Sequence, residues 1–198
     1  MESIVIAFLS GVIGPVAVII AKYFLDKRAK KDPIIECLEI GDLVTKKIDD
    51  ILEEFNADRV WITQFHNGGH FYPTGKSVAK FSIIYETVST GTNSVQNNFK
   101  NIPVNLFAKS MNRLLDNNII EIADYKDESI PTYGLKYIAE ETGCKSSYLF
   151  ALKSIDGKFI GVLGVEFVKR KYKISPADVA LLENQASALG GVLMTHLK

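Results

Sequence analysis

Ser147-Tyr-Leu-Phe-Ala-Leu-Lys-Ser-Ile155, then Asp156-Gly157, then Lys158-Phe-Ile-Gly-Val-Leu-Gly-Val-Glu-Phe-Val168 is the stretch that decides the fold. Two runs rich in aromatic and branched residues flank an Asp-Gly dipeptide, whose residues tolerate the left-handed backbone of a tight hairpin turn. The reading is two antiparallel strands. Glu166 is the one acid inside the second run, and alternation assigns it to the outward face. Directly downstream, Ser175-Pro176-Ala177-Asp178 supplies a helix cap, a first-turn proline and an early acid. Val179, Leu182, Ala186, Leu189 and Val192/Leu193 then form the apolar stripe of a closing helix.

Working outward, Ile34 to Phe55 carries apolar or small residues at Ile34, Cys37/Leu38, Gly41, Val44, Ile48, Ile51/Leu52 and Phe55. The mixed spacing of three and four is that of an amphipathic helix with a near-heptad period, able to pair with a copy of itself. Arg59 to Phe65 reads as a strand stopped by a turn at His66-Asn67-Gly68-Gly69, and Phe81 to Val88 as a second strand. Pro103 to Leu115 reads as a helix and Ile119 to Ile122 as a short strand. A further helix runs from about Tyr133 to Glu141 and stops at Gly143. Strands interrupted by helices, with a late hairpin, define an α+β domain over residues 32–198 built on an antiparallel sheet. The two terminal helices should cover one face of that sheet and the middle segments the other.

The tail motif, Gly157-Lys-Phe-Ile-Gly161-Val-Leu-Gly164-Val-Glu-Phe followed by Ser175-Pro-Ala-Asp178 and a Leu/Ala-rich helix, resembles that of GAF domains, the sensor modules related to PAS. The resemblance covers residues 34–198, by motif in the tail and by element order elsewhere. It implies a sheet of about six antiparallel strands, a ligand pocket roofed by the middle segment, and dimers through the terminal helices. It does not carry a ligand. The Asn-Lys, Phe and Asp-Glu signature of cyclic-nucleotide-binding members has no counterpart here, and Glu-Thr-Gly-Cys144-Lys-Ser does not match the cysteine context of bilin-binding members.

Residues 1–31 read as a membrane anchor with a basic juxtamembrane segment. Ser3 to Ala21 is uncharged, Lys22 closes it, and Lys27, Arg28, Lys30 and Lys31 follow just past Asp26. From Ile4 to Leu25 a helix would span about 33 Å, enough for a hydrocarbon core of about 30 Å. The positive cluster after the span predicts a single transmembrane helix with the N-terminus outside and the C-terminal domain cytoplasmic, next to anionic lipid headgroups. Ser3, Ala7, Ser10, Gly14, Ala17 and Ala21 recur at spacings of three and four, a small-residue stripe suited to close helix packing and so to a homo-oligomer or larger assembly. Pro15 should kink the span. The alternative is a helix buried in a large protein assembly such as a virus particle, with the chain as a structural subunit of a virion or membrane complex.

Net charge is zero, which gives no electrostatic footprint for nucleic acid. Gly75-Lys76-Ser77 looks like the end of a phosphate-binding loop, but Gly69 stands one position too far upstream. His66 and His70 flank two glycines, with no further ligand at metal spacing, so no metal site and no cofactor is assigned. Gln64, His66, Asn67, Tyr72 and Lys80 are the candidate lining of a small-molecule pocket mouth, since polar strand ends beside glycines are where a fold shapes a site. Cys37 and Cys144 are the two cysteines; Cys144 offers a redox-enzyme alternative, against which stands the absence of a second reactive thiol nearby. No nucleophile, base and acid set emerges, so the expectation is a noncatalytic, membrane-anchored sensor or interaction module.

Overall fold

The computed structural model describes residues 16, 18–23, 32–71 and 73–195. The chain divides into two units, 1–39 and 40–198. In the first, Val16 and residues 18–23 are helical and exposed, Ala21 of the small-residue stripe among them. Ser3, Ala7, Ser10, Gly14 and Ala17 lie outside the described residues, as does most of the expected membrane span. Among the described residues no helix is long and apolar enough to cross a membrane.

The elements run α1 (Pro33–Glu54), β1 (Arg59–His70), β2 (Ser77–Val88), β3 (Ile102–Pro103), a 3-10 turn (Val104–Phe107), α2 (Ala108–Asn117), β4 (Ile119–Ile122), α3 (Lys136–Thr142), β5 (Ser146–Lys153), β6 (Phe159–Phe167) and α4 (Pro176–Thr195). The six strands form one sheet in the order β3-β2-β1-β6-β5-β4, with every neighbouring pair antiparallel. The α+β class and the antiparallel sheet flanked by helices are as the sequence implies.

Each face of the sheet carries its own core. Val44, Ile48 and Ile51 of α1 with Phe55 just after it, and Leu182, Ala186, Leu189 and Leu193 of α4, are buried at the same four-three-four spacing. They pack on Val60 and Ile62 of β1, Tyr148, Phe150 and Leu152 of β5, and Leu163, Val165 and Phe167 of β6. Ser175 caps α4, accepting a bond from the Asp178 N–H (3.2 Å) and donating its hydroxyl to the Asp178 carboxylate (2.8 Å). Gly190 lets α4 lie directly on β5, because a Cβ there would come within 2.2 Å of the Lys153 carbonyl oxygen. The opposite face holds the second core, built from Phe81, Leu149, Ala151 and Val162 of the sheet with Met111, Leu114, Leu135 and Ala139 above them.

Three boundaries differ from the sequence reading. β1 does not turn at His66: it runs on to His70, pairing through Phe65, His66 and Asn67 with Phe81, Lys80 and Ala79, so the glycines lie in the outer end of a long ribbon. The expected helix from Pro103 begins instead as a strand pair and a 3-10 turn, and becomes α-helical only at Ala108. The β5–β6 turn is wider than Asp156-Gly157 alone. Ser154 and Lys158 close it with reciprocal backbone and hydroxyl bonds, which stop the strands at Lys153 and Phe159.

Candidate functional site

Strand alternation builds the floor of a chamber between the sheet and the α2–α3 side. The pairing registers set side chains on this face in three rows. Arg59, Glu166 and Ser147 form the first across β1, β6 and β5; Glu86, Trp61, Gly164 and Leu149 form the second, extending onto β2; Thr63, Val162 and Ala151 form the third. Met111 and Leu114 of α2, Ala139 of α3 and Phe99 and Phe107 of the intervening segment complete a mainly apolar chamber of about 70 Å³. The indole of Trp61 lies flat over Gly164, where a Cβ would fall 2.2 Å from the ring.

The first row is polar and buried. Arg59 is 1% exposed and donates from Nη1 to Glu166 Oε2 at 2.6 Å, while its Nε stands 3.8 Å from Glu86 Oε1 and has no hydrogen-bond partner in the protein. Glu86 is held elsewhere, accepting the Val95 N–H (2.8 Å), the Gln96 N–H (3.1 Å) and the Ser94 hydroxyl. Burial pushes the Glu166 carboxyl above its ordinary range, although Arg59 and a bond from the Trp61 side chain pull it down. Glu166 therefore corrects the sequence reading. Leu163, Val165 and Phe167 face the helical core, so alternation sends Glu166 into the chamber, because both faces of this sheet are covered.

On the far side of Glu166, Ser147 Oγ and the Tyr125 hydroxyl share a buried bond of 2.6 Å. Burial raises the Tyr125 phenol, with Cys144 and Glu166 adding to the effect. Cys144 lines the same end and gives its thiol proton to the Ser146 carbonyl at 3.2 Å. Burial, reinforced by Glu166, raises the thiol well above its ordinary value, opposite to what a reactive thiolate needs. Both cysteines are free; Cys37 is exposed on α1.

The residues singled out for a pocket mouth sit elsewhere. Gln64, His66, Asn67 and Lys80 belong to the β1–β2 ribbon and none lines the chamber; Tyr72 lies outside the described residues. The ribbon's continuation past His66 carries them away from the α2–α3 roof. His66 there pairs with the Ser82 hydroxyl (2.9 Å) and the Asn67 carbonyl (3.3 Å). Among the described residues no group of three or more His, Cys, Asp or Glu could hold a metal ion.

No family model and no curated protein matches the sequence. Solved structures do match in shape. A far-red cyanobacteriochrome photoreceptor superimposes with a TM-score of 0.63 at 14% identity, over 92% of this chain and 99% of that one. The GAF3 domain of a Synechocystis sp. PCC6803 protein, in its photoproduct state, gives 0.61 at 16% identity over 79% and 94%. A far-red-absorbing dark state with bound biliverdin IXα gives 0.60 at 17% identity over 76% and 87%. The domain thus has the GAF fold, a six-stranded antiparallel sheet flanked by helices.

Proposed function

We propose that this chain is a noncatalytic sensor or interaction module that takes a small molecule into the chamber beneath α2 and α3. The carrying observation is the chamber itself: an apolar space closed at one end by the buried Arg59–Glu166 pair. Ligand sites have this composition, mostly apolar walls with a few fixed polar groups. The protonated, buried Cys144 supports a binding role over thiol chemistry. In this reading the segment before α1 holds the domain at the cytoplasmic face of a membrane, as the charge step from Lys22 to Lys31 favours. Copies associate through α1, where Ile34, Ile35 and Leu38 are exposed around Cys37.

The test is thermal unfolding of the full chain in detergent, with benzene as an apolar probe. Benzene raises the Tm of the wild type and leaves unchanged that of a Met111→Trp variant, whose chamber is filled. A wild type indifferent to benzene overturns the ligand role. In membranes of a producing bacterial host, oxidation should trap a dimer through Cys37, and protease added outside should leave the domain intact. Digestion of the domain from outside overturns the orientation.

A further inference from the structure

The polar groups of the chamber define the ligand they can accept. The hydroxyls of Ser110 and Thr142 are spent on the carbonyls of Tyr133 (2.9 Å) and Ile138 (2.8 Å), and Thr63 exchanges bonds with the backbone of Val162. Glu166 receives Arg59 and Trp61, and Glu86 its three donors from Ser94 to Gln96. What stays unused is of one kind. Arg59 Nε–H is buried with no hydrogen-bond partner, 3.8 Å from Glu86 Oε1. The Tyr125–Ser147 bond consumes one of two hydroxyl protons, and among the described residues no acceptor takes the other. Arg59 and Ser147 stand on either side of Glu166, and the spare hydroxyl proton belongs to the Tyr125–Ser147 pair. An unmet buried donor costs about 1–3 kcal/mol, so an acceptor that reaches the Tyr125–Ser147 pair is favoured.

Charge narrows the choice. An anionic ligand would meet the Glu166 and Glu86 carboxylates, and a cationic one Arg59, all desolvated. Size narrows it again, since about 70 Å³ amounts to roughly five water-sized spheres. That is room for a single ring, far less than the tetrapyrrole named for one structural neighbour. Resting on the chamber as the ligand site, we propose that it takes a small uncharged apolar molecule bearing one hydrogen-bond acceptor, a carbonyl or ether oxygen received by the spare hydroxyl proton of the Tyr125–Ser147 pair in the chamber lining.

Calorimetric titration of the full chain in detergent tests this with four probes of one ring size: cyclohexanone, methylcyclohexane, cyclohexylammonium and cyclohexanecarboxylate. The Met111→Trp variant subtracts uptake by the micelle. Methylcyclohexane has the greater hydrophobic drive, so a ranking led by cyclohexanone is diagnostic. The expected result is cyclohexanone binding at least tenfold tighter than the other three, with the gap narrowed at least threefold in Tyr125→Phe/Ser147→Ala. Equal or tighter binding of methylcyclohexane overturns the acceptor and leaves the ligand role standing. Tighter binding of either ion overturns the uncharged class. No binding of any probe overturns the inference and the ligand role together. The wild-type ranking decides the matter even if a variant fails to fold.

Discussion

The two faces of the sheet share strands but not chemistry. Under α1 and α4, Val60, Ile62, Tyr148, Phe150, Leu163, Val165 and Phe167 meet two long helices whose apolar spacings match, and Tyr148 reaches in with its hydroxyl donating to the Tyr172 carbonyl at 2.8 Å. Under α2 and α3 the same strands present Arg59, Thr63, Ser147 and Glu166, and the cover is a ten-residue helix, a seven-residue helix and irregular chain. The long helices bury regular apolar stripes on the sheet, leaving a groove of about 310 Å³ beside α4 at Phe150, Glu183 and Ser187. Short, irregular cover leaves a chamber, and the strands beneath it can hold charge. One face is a continuous helical core and the other carries the polar chamber.

The largest expected effects probe the buried charge. Glu166→Leu should cost about 3–5 kcal/mol by stranding Arg59, whereas Arg59→Met/Glu166→Leu should regain most of that loss. Denaturant unfolding of both variants measures this; a double variant no more stable than the single one would mean the pair organises the fold rather than the chamber. Next in size, Leu163→Ala on the closed face should cost about 2–5 kcal/mol, while Val162→Ala, one residue away and bordering the chamber, should cost about 1 kcal/mol or less. Similar costs at the two positions would erase the contrast between faces.

The pH dependence should carry two opposed contributions. Asp58, at the start of β1, is buried, which by itself would raise it; the N–H groups of Lys169 and Val168 (both 2.8 Å) and the Lys169 ammonium outweigh this and lower it below its ordinary 3.8. A lowered carboxylate stabilises above that value and loses its contribution as pH falls, so Asp58→Asn should flatten the acid limb of a stability profile. Glu166 is raised above its ordinary 4.5. Its contribution is complete below that value and is lost as pH rises, so Glu166→Gln should flatten the profile above about pH 4.5. At a similarly small scale, Ser175→Ala should cost about 1 kcal/mol through the α4 cap, with no change in ligand binding.

What the sequence made legible follows from periodicity. The β5–β6 hairpin, α1 and α4 were readable because each buries a regular stripe, and those stripes prescribe a common core. The chamber was less readable because its residues come from β1, β2, β5, β6, two short helices and a loop, so no local pattern gathers them. Glu166 was the available signal: an acid within Phe-Ile-Gly-Val-Leu-Gly-Val-Glu-Phe is costly unless something pairs it. Alternation alone says only that Glu166 points away from the helical core, and the middle segments cover that other face. In a sheet covered on both sides, outward from one core is inward to another. In the His66–Lys80 ribbon the glycines break neither the strand nor its pairing, so Gln64, His66, Asn67 and Lys80 belong to the β1–β2 pair and none lines the chamber.

Trp61 is the only tryptophan in the chain, and it lies in the chamber floor, over Gly164 and against Glu166. The protein therefore carries one tryptophan, which can be excited apart from its eight tyrosines, in the floor of the chamber proposed to take a ligand. Displacement of water, a change in the charge of Glu166, or a ring laid against the indole would each alter its emission, with no background from a second tryptophan. The molecule comes already labelled.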